Sequence, residues 1–165
     1  MKDNVFPMIC HRPKVAQFVA GNLGGLFLAL IVFLLAGFDG LLPPVLFPFI
    51  MCAFAFICII LLCRYLQLTR MKFIISDEQM RYEYGILSLK CDYIELYRVV
   101  DYSEQRTFVQ QLLGLKTVSI YSGDRTCPRL DIIGVPEDQN LIRTIRERVE
   151  YNKRMANIHE FTNIR

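Results

Sequence analysis

The chain has almost no histidine: its 165 residues include only His11, ahead of a long apolar run, and His159, close to the last residue. Hydrolytic or group-transfer chemistry needs a nucleophile with a base, and a base with an orienting partner. No G-x-S-x-G, H-E-x-x-H, phosphate-cradling glycine loop or dinucleotide fingerprint is present. Carboxylates such as Glu95, Asp101 and Asp131 are spread along alternating segments, where a solvated outer face accounts for them. No catalytic residue and no cofactor is therefore expected. The six cysteines, at positions 10, 52, 58, 63, 91 and 127, contain no CxxC pair, which argues against a metal site. Three fall in the second apolar run and three on the side expected to be reducing, so they are expected to be buried, unpaired thiols acting as small apolar residues.

An excess of one charge is lacking too. The formal net charge is +3, and from Arg64 onward sixteen basic residues stand against fourteen acidic ones. That balance carries no nucleic-acid footprint.

In two places charge disappears altogether. Val15 to Phe38 holds no charged residue and neither does Gly40 to Cys63, with Asp39 alone between them. Each run can cross a hydrocarbon core of roughly 30 Å as a helix rising about 1.5 Å per residue. Buried core helices are the alternative, but two such runs leave too little chain to wrap them. A cleaved signal peptide is disfavoured because the first run is long, lacks an A-x-A-like exit and leads straight into the second. FDGLLPP, Phe38 to Pro44, is turn chemistry that a continuous helix would not tolerate. The expected organisation is an N-terminal arm at 1–14, a first span at 15–38, a loop at 39–44 and a second span whose core is 45–63. Lys2, Arg12 and Lys14 precede the spans, Arg64, Arg70 and Lys72 follow them, and the loop has neither Lys nor Arg. The positive-inside rule then places both ends in the cytoplasm.

Ala16, Ala20 and Gly24 recur at every fourth position of the first span, and Gly21 and Gly25 repeat the spacing on a neighbouring stripe. Small residues so spaced let helix backbones approach closely. Packing of the two spans on each other is the plainer reading; a homo- or hetero-oligomer seam is the other. Gln17 and Asn22 are polar but do not ionise, so the first span shows no sign of an ion path.

Beyond Arg64 the pattern alternates. KFIIS, QMRYEYG, ILSLKC, YIELYR and VVDYSEQ read as short strands, with a turn at Asp77-Glu78. FVQQLLGLKTVSIY, Phe108 to Tyr121, then changes character: QQLLGL reads as a helical or 3₁₀ turn closed by Gly114, and KTVSIYS as a strand. Ser122 to Asp124 turns the chain into RLDIIGV. Pro136 with Glu137-Asp138 suits the first turn of a terminal helix. Leu141, Ile142, Ile145 and Val149 mark one face of it, and the pairs Arg143–Glu147 and Arg146–Glu150 mark the other. Residues 153–165 have no periodicity and read as a tail. Residues 64–152 are thus expected to form an α+β domain: seven short strands in a curved sheet or partial barrel, a helical turn between the fifth and sixth, and a C-terminal helix over one open end.

These segments resemble the bacterial pleckstrin-homology domain family of the membrane-flanked type, in its short form with a two-helix hairpin. The resemblance covers about Lys72 to Glu150. It is carried in order by SDEQM at 76–80, YIELYRVVD at 93–101, QQLLGLKTVSI at 110–120 and GVP at 134–136. Glu95 and Tyr97 stand where the family often has proline and aspartate. The resemblance implies a pleckstrin-homology-like fold in a bacterial cytoplasmic (inner) membrane, with no enzymatic activity. It also implies a protein partner, such as a longer membrane protein bearing several copies of the domain, and a link with envelope stress or resistance to membrane-active agents. Phosphoinositide binding of the eukaryotic kind needs basic residues at the first hairpin, and Ser76 to Gln79 is acidic.

Leu112 and Leu113 are expected to plug an end or edge of the barrel, Gly114 to release the helical turn, and Gly134 and Pro136 to close the last strand. Gln105, Arg106, Gln110 and Gln111 are the candidate partner-binding set. The expected function is a non-catalytic membrane-anchored binding or assembly module that presents a strand edge or loops, with a homo-oligomer allowed. An accessory subunit of a transport or export system, acting through its spans, is the alternative, and it requires polar groups facing a cavity between the helices.

Overall fold

The computed structural model describes residues 6–37 and 43–156; His159, the Asp39-Gly40 turn and the tail from 157 lie outside the described residues. The element order is β1 (Ile9–His11), α1 (Ala16–Gly37), a 3₁₀ turn (Pro44–Leu46), α2 (Phe47–Arg70), β2 (Lys72–Ile75), β3 (Gln79–Tyr84) and β4 (Lys90–Glu95). A 3₁₀ turn (Leu96–Arg98), β5 (Val99–Gln105), α3 (Phe108–Leu112), β6 (Leu115–Ser122), β7 (Arg129–Pro136) and α4 (Leu141–Met155) follow.

Both long helices are apolar on every side and expose leucine, isoleucine and phenylalanine all round, the pattern of a helix whose surroundings are themselves apolar. Each is long and apolar enough to cross a membrane. They pack antiparallel, with Phe18 edge-on to Tyr65 at 5.5 Å and Phe33 against Phe54 at 5.8 Å. α2 begins with proline in its first turn, where the missing N–H costs nothing. It runs on through Arg70, beyond Cys63 where the uncharged run ends, and delivers the chain through Met71 to β2.

The strands form two antiparallel sheets, β1-β2-β3-β4 and β5-β6-β7. Seven strands are present, but two of the expected runs are one: ILSLKC and YIELYR contribute the single strand β4. Ile86 to Leu89 turn after Gly85, whose φ is +124° and where any Cβ would meet the Ser88 carbonyl oxygen. Leu96 to Arg98 form a 3₁₀ turn instead of extending the strand. The remaining strand is β1, ahead of α1. Ile9 pairs with Ile75 and His11 with Phe73, so the helical hairpin is inserted between the first two strands of one sheet.

The core joins Phe73, Ile75, Met80, Ile94 and Leu96 to Val118, Ile120, Leu130, Ile132 and Val135, and is closed by Leu141, Ile145 and Val149 of α4. Burial of each such side chain stabilises the fold by about 1.5–3 kcal/mol. The terminal helix starts later than its acidic pair implies. Pro136 is still paired with Leu115, Glu137 N donates to Gly114 O at 3.0 Å, and Asn140 occupies the N-cap. The cysteines are free thiols, but none is buried: Cys10, Cys52, Cys58 and Cys63 are exposed and Cys91 and Cys127 half-buried. Of the six, Cys127 packs against the core from its half-buried position.

The register fixes the placement of the helices. Lys72, the first residue of β2, pairs with Glu83, so the β3–β4 turn lies at the hairpin end of its sheet. β5 ends, β6 begins and β7 ends at that same end, where Lys14 N donates to Gly134 O at 3.4 Å.

Candidate functional site

Among the described residues, two places that combine accessible polar groups with a concave surface stand out. The first is the junction of hairpin and sheets, organised by α3. Thr107 and Gln110 form a capping box: Gln110 N donates to Thr107 Oγ1 at 3.3 Å and Thr107 N to Gln110 Oε1 at 3.0 Å, satisfying donors that a helix start leaves open. Gln110 Nε2 then donates to Gln17 Oε1 and to Thr117 Oγ1, each at 2.9 Å. Gln110 is therefore buried, 4% exposed, and clamps α3 to the start of α1. Gly114, at φ +61°, ends the turn.

Leu112 and Leu113 do not plug the sheet end. Both are exposed, and Leu115 takes the buried position. The helix is only one turn long, so the face holding Gln110 turns inward and the leucines outward.

Gly134 does more than close a strand. β7 carries one extra residue where Lys116 pairs with Val135 and Val118 with Ile132, a bulge. Gly134 sits in it at φ +68°, and a Cβ there would lie 3.0 Å from Gln17 Cβ, 3.1 Å from Lys14 N and 3.2 Å from Pro13 Cα. β7 thus touches the entry to α1 through a residue that must lack a side chain.

The small residues of α1 are divided between surroundings. A Cβ on Gly25 would lie 3.2 Å from Leu61 of α2, whereas Gly21 and Gly24 have nothing within 4 Å; Ala16 and Ala20 are half-buried. Beside Gly21 a groove of about 300 Å³ opens, lined by Gln17, Asn22, Arg64, Gln67 and Ile133. Arg64 Nη1 donates to Asn22 Oδ1 at 3.0 Å where α1 departs from helical geometry, and Asn22 Nδ2 donates to Phe18 O at 3.0 Å.

Of the remaining partner-binding candidates, Gln105 and Gln111 are exposed. Arg106 pairs with Glu104 at 2.6 Å and with Glu137. Glu104 also receives the buried Lys116 ammonium at 3.1 Å. The Arg106 hydrogen bond, with help from Lys116, holds the Glu104 carboxyl below the usual carboxylate range against the opposing effect of burial.

The second place is a groove of about 430 Å³ between β5 and α4, with Val99 to Tyr102 on one wall and Ile142, Arg146, Val149, Glu150 and Lys153 on the other. Among the described residues no strand pairs with the outer edge of β5. Val100 is exposed there, in a bulge between the Val99–Ser122 and Asp101–Tyr121 pairs. Asp101 Oδ1 accepts from Tyr102 N at 2.7 Å, covering one edge donor with a local side chain.

Arg148 is a functional-looking residue that the sequence reading missed. It is buried, with Nη1 donating to Ile75 O at 2.8 Å and Ser76 O at 3.2 Å, and Nη2 to Pro7 O at 2.5 Å. Its guanidinium lies 5.4 Å from the Phe6 ring centre, and Phe6 N donates to Asp77 Oδ1 at 3.1 Å. The group straps the N-terminal arm to α4, and the acidic turn at Asp77 serves that strap. The signal was available: Arg148 falls on the apolar face with Leu141 and Ile145. Among the described residues no cluster of His, Cys, Asp or Glu could hold a metal ion.

The family model for the bacterial PH domain matches residues 18–149. No curated protein and no solved structure matches the chain. The matched stretch takes in most of α1, all of α2 and both sheets from β2 onward, up to α4, and with four-fifths of its residues inside that match the chain belongs to the bacterial PH domain family.

Proposed function

We propose that the protein is a non-catalytic, membrane-anchored binding module of the bacterial inner membrane that captures a segment of another membrane protein along the β5–α4 groove. The open edge of β5 beside that groove carries the reading. An extended segment adding to this edge would gain main-chain hydrogen bonds along Ser103 to Gln105 and seat alternate side chains against Val100 and Ile142. Gln105, Arg106 and Gln111 continue the surface at the end of β5, whereas Gln110 is engaged inside the fold. Pairing of β1 with β2 supports a topology with both ends on one side of the membrane, since the two strands flank the hairpin; the basic residues around the spans favour the cytoplasmic side. A longer protein with several copies of the same domain, in envelope stress or resistance to membrane-active agents, is the partner and setting that family likeness favours.

The transport reading draws on the polar groove at Asn22 and Arg64, but that groove lies at the sheet end of the hairpin. Among the described residues neither helix carries a charged group between Ala16 and Cys63, which favours an anchor over a path.

The test is gentle solubilisation of the tagged full-length chain from its native membrane, with mass spectrometry of what co-purifies. Val100→Arg should release a stoichiometric membrane protein that the unaltered chain retains. A partner that persists on Val100→Arg, and on a chain cut after Cys63, would place the function in the helices and overturn the groove reading.

A further inference from the structure

The hairpin end of the sheet domain carries two exposed apolar tips that none of the described residues covers. On α3, Phe108 is 74% and Leu112 72% exposed, and their i,i+4 spacing puts them on one face, away from Gln110. On the β3–β4 turn, Leu87 is fully exposed and Leu89 73% exposed. Both tips lie where the chain enters and leaves the helices: α3 is bonded to Gln17 of α1, and the turn follows the Tyr84–Lys90 pair beyond Lys72. α1 has 22 residues, about 33 Å at 1.5 Å per residue, close to the roughly 30 Å of a hydrocarbon core. Arg64, the first charge of α2, is bonded to Asn22, so the boundary of that core lies between Asn22 and Gln17, and α3 within the headgroup layer, about 5–8 Å thick on each face. Around the tips Arg12, Lys14, Arg70 and Lys90 are exposed and outnumber the exposed Glu137 and Asp138 beside α3. Apolar tips with a basic excess around them suit an anionic lipid surface.

We infer that the bilayer itself is the occupant of this surface: Phe108, Leu112 and Leu87 insert at the headgroup–acyl boundary of the membrane that α1 and α2 cross, and hold the sheet domain in one orientation. The inference rests on the spanning reading of the two helices. It makes the domain a fixed platform, with α4 and the outer edge of β5 available on its flank.

The chain contains no tryptophan, so single Leu112→Trp, Leu87→Trp, Val100→Trp and Phe33→Trp variants of the full chain each carry a unique fluorophore. Each is reconstituted in phosphatidylethanolamine–phosphatidylglycerol vesicles containing lipid brominated high or low on the acyl chain. Leu112→Trp and Leu87→Trp should be quenched several-fold more strongly by the shallow bromines than Val100→Trp, and Phe33→Trp most strongly by the deep ones. Aqueous iodide quenching of Leu112→Trp and Leu87→Trp at the Val100→Trp level, with Phe33→Trp still quenched by bromolipid, would overturn the inference and leave the spans standing. Shielding of both tips from bromolipid and iodide alike would mean that protein covers them, which also overturns it. Phe33→Trp untouched by bromolipid would remove the spanning reading and this inference with it.

Discussion

Glycine at 134 and glycine at 114 both adopt left-handed backbone, but their surroundings differ. A side chain at Gly114 would enter open space, so Gly114→Ala should cost about 1–2 kcal/mol for the backbone alone. At Gly134 the added carbon must also displace Pro13 and Lys14 backbone, and overpacking adds about 1–3 kcal/mol more. Unfolding in detergent, followed by tyrosine fluorescence, should therefore rank Gly134→Ala well below Gly114→Ala; equal losses would mean that the approach of β7 to α1 is not a close one. His11 offers a second test. It is buried against Phe73, and burial pulls its pKa below the ordinary 6.5, against a hydrogen bond with the Ile133 backbone that raises it. The folded state therefore binds fewer protons than the unfolded one as pH falls. The stabilisation is complete above about 6.5 and is lost as the pH drops through that value toward the folded pKa. Amide exchange, corrected for its intrinsic pH dependence, should show β1 opening below neutral pH, and His11→Phe should flatten the change. An equal pH step in the variant would assign the opening to another group.

At the scale of elements, α3 separates two glutamines that look alike in sequence. Gln110 closes a capping box and bonds to Gln17 and Thr117 from a buried position, whereas Gln111, one residue on, faces solvent. Gln110→Leu leaves several buried partners unsatisfied, at about 1–3 kcal/mol for each such group, while Gln111→Leu should be nearly neutral. A comparable drop in unfolding midpoint for both would show that α3 is not clamped to α1. This contrast marks what the sequence could tell. The T-x-x-Q spacing of the box stands in the sequence at Thr107 and Gln110, but the leucines that follow it carry the stronger, packing signal. Alternation located β2, β3, β5, β6 and β7, since each alternates apolar with polar residues over several positions, even β6, whose two faces are both largely buried. β1 was illegible for the opposite reason: three residues, one of them a histidine, carry no usable period, and its partner lies beyond both apolar helices. ILSLKC misled because exposed Leu87 and Leu89 imitate a strand's buried face. Burial on a membrane surface would leave the same pattern.

For the whole molecule, the insertion of the hairpin between β1 and β2 makes a consequence that a simple anchor-plus-domain arrangement would not have. A soluble piece beginning at Lys72 loses β1 and with it the ladder along β2 from Phe73 to Ile75. It also loses Pro7 O and the Phe6 ring, which stand against the buried Arg148 guanidinium. Burial already makes Arg148 easier to deprotonate than a free arginine, and removing an acceptor from a buried cation is costly. An open edge at β2 is in addition a template for pairing with other chains. Residues 72–156 alone should therefore be less stable and aggregate. A second piece, in which residues 6–12 are joined to Lys72 by a short glycine-containing turn, restores the His11–Phe73 pairing without either helix. It should be monomeric, with an unfolding midpoint well above that of the first. If both pieces fold equally well, the arm before α1 is an accessory and the hairpin merely precedes the sheet domain. If only the joined piece folds, then both ends of the hairpin are locked into one sheet. Any tilt of α1 relative to α2 would then be carried directly into the β1–β2 ladder, and through Arg148 into α4, the wall of the groove proposed to hold the partner.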